Sequence, residues 1–236
     1  MSTSPNMWPV SPEELSRIQE DLSHRAPPPW QPDWHACVIG GCYVCFNRWG
    51  TGKGQKGDPG WAGAALMTGK QIIAGAVIHG EAGAPYEPGF LALREGSLLE
   101  QAVRSLPQLP DVLLVNATGY DHPRGAGLAT HLGYVLDIPS IGVTHRPLIA
   151  QGDWPELVKG GVSPVYIGND VAGAWVTTRE GARPLVVHPA WRTELTVAQN
   201  VVLAASLQHR TPEPLREARR LARTARSRAM EGSTSE

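Results

Sequence analysis

The order of its apolar segments constrains the fold of this chain more than any other sequence feature. Three apolar segments follow one another closely, at residues 36–46, 62–67 and 71–78, and the tight turn Thr68-Gly69-Lys70 separates the last two. Consecutive strands that are joined by tight turns pair antiparallel. The sequence therefore predicts a three-stranded antiparallel meander near the start of the chain.

Helices and strands alternate after this meander. Helical periodicity covers 91–106, 125–136, 193–207 and 216–230, and short apolar runs typical of strands cover 111–115, 140–143, 164–168, 172–178 and 185–187. An earlier helix begins after Ser11, since a cap residue followed by proline and acidic residues is a helix start. We predict one α/β domain with a mixed sheet flanked by helices over 11–222, a disordered tail over 1–10 and a basic, fraying tail over 223–236.

The charge balance limits how this chain can meet a polyanion. The formal net charge of the 236 residues is −1, which excludes a bulk electrostatic coat for nucleic acid and leaves only a local basic patch. The C-terminal helix supplies one candidate, with Arg216, Arg219, Arg220, Arg223, Arg226 and Arg228. Such a run indicates either a solvated helix face or a helix that feeds a nucleic-acid groove.

Three cysteines and a glycine-rich stretch can each be interpreted as a ligand site or as a structural feature. Cys37, Cys42 and Cys45, with His35, have spacing that suits zinc, but strand alternation puts Cys42 on the opposite face from the other two. We therefore predict reduced core cysteines. Residues 50–60 are rich in glycine but lack the Gly-Lys-Ser/Thr ending of a phosphate-binding loop, which favours a flexible hairpin.

The chain carries no visible export or membrane signal. No run approaches the roughly 20 apolar residues of a membrane helix, and no basic segment precedes an apolar one near the N-terminus. We therefore expect a cytoplasmic protein with no membrane partner.

The stretch from residue 85 to 145 carries the functional motifs. A PYEPGFLALREG loop-to-helix, a buried strand ending in small polar residues, a G-x-x-HPR turn and an IPSIGV strand together resemble the endonuclease V family. Three further segments resemble parts of that family. Its first helix resembles SPEELSRIQEDL, one of its late strands resembles GARPLVVHPAW, and its closing RxPEPxRxAH segment resembles RTPEPLREAR. The resemblance implies a ribonuclease H-like fold. It also implies a nuclease dependent on Mg²⁺ or Mn²⁺ that cuts one nucleotide 3′ of deoxyinosine or, in some members, acts on inosine in RNA.

The resemblance also places the metal-dependent catalytic site, and there this chain departs from the pattern. The expected glutamate is present as Glu95, whereas the two expected aspartates fall on Tyr43 and Asn116. The family has a histidine in an SPGH-like motif where this chain has Trp191. It has a lysine after the IGV strand where this chain has His145. Tyrosine and tryptophan are poor ligands for hard cations, and asparagine offers one neutral oxygen. We expect catalysis to be weakened or lost.

Two alternatives to this expectation stay open. Asp121, beside the HPR turn, is either a substitute metal ligand that acts with Glu95 and keeps the enzyme active, or a solvated turn residue. The chain can also have kept only the fold and bind another ligand, because function depends on the site and not on the fold.

The recognition residues match the family better than the catalytic ones do. Pro85, Tyr86 and Pro88 match a wedge that separates strands, with Glu87 in place of an apolar wedge residue. Positions that match the pocket for a flipped base are Gly89, Leu91, Gly119, His122, Gly127 and Leu128, although the glycines also suit turns. Arg124 is a candidate phosphate contact. We expect a monomer that binds inosine-containing or mismatched DNA, or RNA.

Overall fold

The computed structural model describes residues 8–47 and 54–232. The described helices are α1 (Pro12–Ser23), α2 (Leu91–Arg104), α3 (Leu128–Leu136), α4 (Leu195–Ala205) and α5 (Glu213–Gly232). The described strands are β1 (Val38–Phe46), β2 (Pro59–Thr68), β3 (Gln71–Glu81), β4 (Val112–Val115), β5 (Ser140–Thr144), β6 (Val162–Ile167), β7 (Asp170–Val176) and β8 (Leu185–Pro189).

The strands form one eight-stranded mixed sheet in the order β3-β2-β1-β4-β5-β8-β7-β6. β1, β4 and β5 run parallel at its centre, and every other neighbouring pair is antiparallel. The predicted meander and mixed sheet are thus confirmed. Because β4 and β5 are parallel neighbours, the segments that follow them leave the sheet side by side.

Helices cover both faces of the sheet. Leu15 of α1, Leu99 of α2 and Leu132 of α3 share one apolar core, whereas Val201 of α4 and Leu215 of α5 belong to the core on the opposite face. The three buried cysteines form no disulfide within the described residues and follow the predicted alternation, with Cys42 in the first core and Cys37 and Cys45 on the other face. Within the described residues no helix is long and apolar enough to cross a membrane.

Local signals explain where several helices begin and end. The Ser11 hydroxyl accepts a hydrogen bond from the Glu14 amide at 3.2 Å, and Pro12 occupies the first turn of α1. α3 ends where Asp137 adopts a left-handed conformation with φ of 52°. α5 begins just after Pro212 and continues without a break through residue 222, where a tail had been predicted to begin.

Two further predictions concern the chain ends and the glycine-rich stretch. Trp8, inside the predicted tail, is buried, stacks on His131 and donates from Nε1 to Glu100 at 2.7 Å. Most of that predicted tail, and residues 48–53 of the glycine-rich stretch, lie outside the described residues.

Candidate functional site

A cavity opens at the edge where the parallel strands end. Asn116 follows β4, and Thr144 closes β5 beside it. Ligands of open α/β sheets bind outside the carboxyl ends of their strands. The cavity has a volume of about 200 Å³. Its walls are Gln19, Tyr86, Glu87, Pro88, Gly89, Leu91, Ala92, Asn116, Ala117, Thr118, His122, Leu128, Thr144 and Leu148, so most of the predicted base-pocket and wedge residues meet here.

The wedge loop forms the outer wall of this cavity. The Tyr86 amide donates to the Gly54 carbonyl at 2.8 Å, and the Phe90 amide donates to the Glu87 carbonyl at 3.1 Å. Gly89 has φ of 82°, a left-handed conformation that favours glycine. The Tyr86 ring stays 46% exposed, so its face is available for stacking at the mouth of the cavity. Pro85 belongs to the same loop but does not line the cavity.

Arg124 braces the wedge loop from within the protein. Its guanidinium donates to the Gly89 carbonyl and to Gln19 Oε1, both at 2.7 Å, and lies 4.4 Å over the Phe90 ring. These two hydrogen bonds use two of the five N–H donors of the guanidinium group, so Arg124 positions the wedge loop. Its contact with a phosphate stays a prediction.

His122 is a neutral ring that also contacts the wedge loop at Gly89. Its Nδ1 accepts from the Arg124 amide at 3.2 Å, which assigns the proton to Nε2, and Nε2 donates to the Gly89 carbonyl at 3.2 Å. Burial, and then the Arg124 charge, lower the pKa of His122 to about 4. The wall it contributes to the cavity is thus uncharged at neutral pH.

Gly119 and Gly127 shape the cavity from behind and do not line it. A Cβ atom at Gly119 would collide with the Pro189 carbonyl, and one at Gly127 would collide with the Thr118 backbone. These two glycines therefore allow close backbone packing.

A second, narrower cleft lies on the other side of Asn116. Tyr43, Asn116 and His145 line it together with Arg219 of α5. The Arg219 guanidinium lies 5.0 Å from the centre of the Tyr43 ring, and that of Arg223 lies 5.9 Å from it. Three predicted catalytic positions are therefore brought together, in the company of two cations.

The sequence places Arg219 only in the basic run of the C-terminal helix and does not place it beside the catalytic positions. Arg219 occupies the position at which the closing RxPEPxRxAH pattern has histidine, within RTPEPLREAR. The departure from that pattern is visible in the sequence, whereas the contact with Tyr43 is not.

Trp191, the position assigned from that SPGH-like motif, lies at the opposite end of β5. Its carbonyl accepts from the Ser140 amide at 2.9 Å, at the start of the strand, whereas His145 follows the strand's last residue. At about 3.3 Å per residue, the length of β5 separates the two by roughly 15 Å. Trp191 packs against Leu22 and edge-on to Tyr134 at 5.2 Å, so the structure does not bring it to the other candidates.

Glu95 is placed on the opposite face of β1 from Tyr43. Burial, and then the nearby Glu95 carboxyl group, raise the pKa of the Cys42 thiol, which lies on the α2 side of the sheet. Burial raises the pKa of Glu95 itself to about 8, against the opposing effect of Arg94. Arg94 donates to Asp58 at 2.8 Å and to two backbone carbonyls, so its charge is shared elsewhere. Glu95 lines neither cleft.

Asp121 is neither a metal ligand nor a solvated turn residue in this structure. It is fully buried, and its two carboxylate oxygens accept hydrogen bonds from the amides of Leu148, Ile149 and Ala150 at 2.6–2.9 Å. The Nδ1 atom of His188 lies 3.8 Å away. Both alternatives for Asp121 are corrected, because its charge anchors the loop after β5.

The cleft does not suit a divalent cation. Within residues 8–47 and 54–232, no group of three or more His, Cys, Asp or Glu side chains can hold a metal ion. The cleft offers a neutral phenol and a neutral amide where Mg²⁺ prefers carboxylates, and the Arg219 charge repels a cation. The residues present therefore do not fit the metal that the resemblance implied.

Sequence comparison finds one family. The endonuclease V family model matches residues 34–220. The endonuclease V of Trichormus variabilis is 31% identical over 220 residues, which cover 92% of this chain and 96% of that relative. That of Dictyoglomus thermophilum is 38% identical over 132 residues, which cover 56% of this chain and 58% of that relative. The alignment with this second relative thus spans little more than half of its length.

Solved structures show the same fold. The endonuclease V of Streptomyces avermitilis superposes with a TM-score of 0.85 at 30% identity, and the match covers 96% of this chain and 97% of that one. The Ciona intestinalis endonuclease V, solved with a 24mer DNA containing an inosine followed by a ribo-adenosine, superposes with a TM-score of 0.76. Its identity is 19%, with 92% of this chain and 98% of that chain covered.

Proposed function

Because the chain belongs to the endonuclease V family, we propose that it recognises a deaminated base in nucleic acid and that its metal-dependent cleavage is weakened or lost. One observation carries this proposal. A base-sized cavity with an exposed tyrosine at its mouth is retained at the sheet edge, while the adjoining cleft has Tyr43 and Asn116 where carboxylates are expected.

Recognition would proceed by taking one base out of the stack. Extrusion costs a few kcal/mol, and less for a base that pairs poorly, as a deaminated base does. Apart from Glu87, the residues that line the cavity are uncharged and suit a neutral base, and stacking on Tyr86 contributes about 1–3 kcal/mol. Glu87, which is exposed beside Tyr86, opposes this by repelling phosphates that pass the loop.

The nucleic acid is proposed to be DNA that contains inosine. The support is the Ciona intestinalis protein, whose complex holds such DNA, and RNA is the alternative that the family resemblance leaves open. We further propose that the protein acts as a monomer in the cytoplasm, a compartment that keeps its three cysteines reduced.

A combined binding and nicking assay tests the proposal. Purified protein is incubated with a duplex that holds one deoxyinosine, and with the matched duplex, in the presence of Mg²⁺ or Mn²⁺. We expect tighter binding to the inosine duplex without nicking, or with nicking that is slow compared with that by the endonuclease V of Trichormus variabilis, assayed in parallel. Rapid, specific nicking 3′ of inosine would refute the loss of catalysis, and equal binding to both duplexes would refute the recognition.

A further inference from the structure

Arg219 of α5 lines the cleft, and Arg223 lies beside it, near the same tyrosine. Arg219 and Arg223 are four residues apart, so they lie on one face of the helix, and both guanidinium groups lie near the Tyr43 ring. Within the described part of the chain, neither forms a hydrogen bond or a salt bridge. A guanidinium group that rests on an aromatic ring keeps its N–H donors directed outward, available to a further acceptor.

Neighbouring arginines of the same helix are neutralised. Arg216 donates to Glu213 and Arg220 donates to Glu217, both at 2.6 Å. The contrast shows that α5 is not uniformly solvated. Along this one face of the helix, the two carboxylates pair with Arg216 and Arg220 and not with Arg219 or Arg223.

The opposite wall of the cleft is subject to the same positive field. His145 lines it, and its pKa is lowered by burial and then by the charges of Arg210 and Arg219. Asn116, at the floor, carries amide donors as well as an oxygen. The cleft therefore combines cations with neutral donors, which is the chemistry of an anion site.

We propose that Arg219 and Arg223 bind a phosphate group directly beside Tyr43, at the edge of the cleft where the family resemblance places a metal ion. The planar guanidinium group matches two phosphate oxygens at once, and two such groups compensate the charge that a divalent cation would otherwise offset. The identification of this phosphate as one of a nucleic acid rests on the proposed function. Binding through arginine needs no divalent cation.

Binding measurements with chelator test this site. The dissociation constant for the inosine duplex is measured by fluorescence anisotropy with Mg²⁺ and with excess EDTA. We expect the two values to agree within about twofold, since electrostatic contacts by arginine persist without a cation. Arg219→Gln should weaken binding about tenfold or more, the scale of one hydrogen-bonded charge. Arg220→Gln, the matched control on the same helix, should change it less than about twofold.

The outcomes separate the two proposals. If EDTA abolishes binding, or if Arg219→Gln binds as the wild type does, the phosphate site is refuted while base recognition stands. If the wild type binds inosine and matched duplexes equally, base recognition is refuted, and the phosphate site is then tested with a simpler ligand.

That ligand is inorganic phosphate, followed through the arginine Nε–Hε resonances in ¹H–¹⁵N spectra. Saturable shifts of the Arg219 and Arg223 signals, with the Arg220 signal unmoved, support the site. Absence of such shifts, or equal shifts for all three, refutes it. Thermal unfolding of each variant establishes that the substitutions leave the fold intact.

Discussion

Single residues set the charge of the cleft that Tyr43, Asn116 and Arg219 line. Tyr43 and Asn116 are neutral where the family resemblance places aspartates, and Arg219 adds a positive charge beside them. Glu95 remains, but it lies on the other face of the sheet and no hydrogen bond joins its carboxyl group to any described residue. A buried carboxyl group without partners keeps its proton at neutral pH.

Glu95 should therefore lower stability at alkaline pH. Its pKa is about 8 in the folded chain and 4.5 in the unfolded chain, so only the folded state holds the proton between these values. The free energy of unfolding consequently falls as the pH rises through that window. Glu95→Gln should remove this dependence and raise stability by up to about 5 kcal/mol above pH 8. Urea unfolding of the wild type and Glu95→Gln at acidic and alkaline pH measures this difference in the free energy of unfolding.

The comparison must be made between variants, because two buried histidines act in the opposite direction. Burial lowers the pKa of His122 and His188 to about 4, so stability falls as the pH drops from about 6.5 toward 4. The wild-type minus variant difference cancels their effect. Glu20→Gln, on the exposed face of α1, is the control. Parallel pH curves for wild type and Glu95→Gln would contradict the assignment.

The loop after β5 is one element whose position depends on a single buried carboxylate. Asp121 accepts three backbone hydrogen bonds from this loop, whose Leu148 lines the larger cavity. Thr144, at the end of β5, receives a hydrogen bond of 2.8 Å from the Nε2 atom of His188, which lies beside Asp121. The wall of the cavity is therefore fixed by contacts that originate behind it.

Asp121→Asn should loosen this loop. The amide keeps one acceptor oxygen and replaces the other with a donor that faces backbone N–H groups. We expect a loss of about 1–3 kcal/mol in stability and faster hydrogen exchange at Leu148–Ala150, the segment that the carboxylate anchors. Asp137→Asn is the control, since the Asp137 side chain is 82% exposed and asparagine tolerates its left-handed backbone. Unchanged exchange at 148–150 would show that the anchor is dispensable.

Sequence patterns predicted the elements better than they predicted these contacts. The apolar runs identified all eight strands, because the periodicity of burial is local. Asp121 is 27 residues from the nearest amide it binds, and Arg219 meets Tyr43 only through the packing of α5 on β1. Such pairings depend on the assembled sheet, so no local pattern distinguishes them from solvated charges.

Across the whole molecule, the net charge of −1 conceals an uneven distribution. Ion pairs neutralise part of α5, and Arg124 is used inside the protein. Within the part of the chain that the structure describes, Arg219 at the cleft and Arg223 beside it form no ion pair. A molecule of this kind cannot hold a long stretch of backbone by charge. Its affinity should come from a few phosphate contacts together with the extruded base.

This distribution predicts a shallow salt dependence of binding. Two phosphate contacts, by Arg219 and Arg223, give a slope of about −2 for the logarithm of affinity against the logarithm of salt concentration, because each contact contributes about −0.9. Anisotropy titrations with the inosine duplex over a range of NaCl measure it. Arg219→Gln combined with Arg223→Gln should bring the slope close to zero, whereas Arg216→Gln with Arg220→Gln should change it little, since both of those arginines are ion-paired. A wild-type slope near that of an extended basic surface, or equal slopes for the two double variants, would show that other cations hold the nucleic acid.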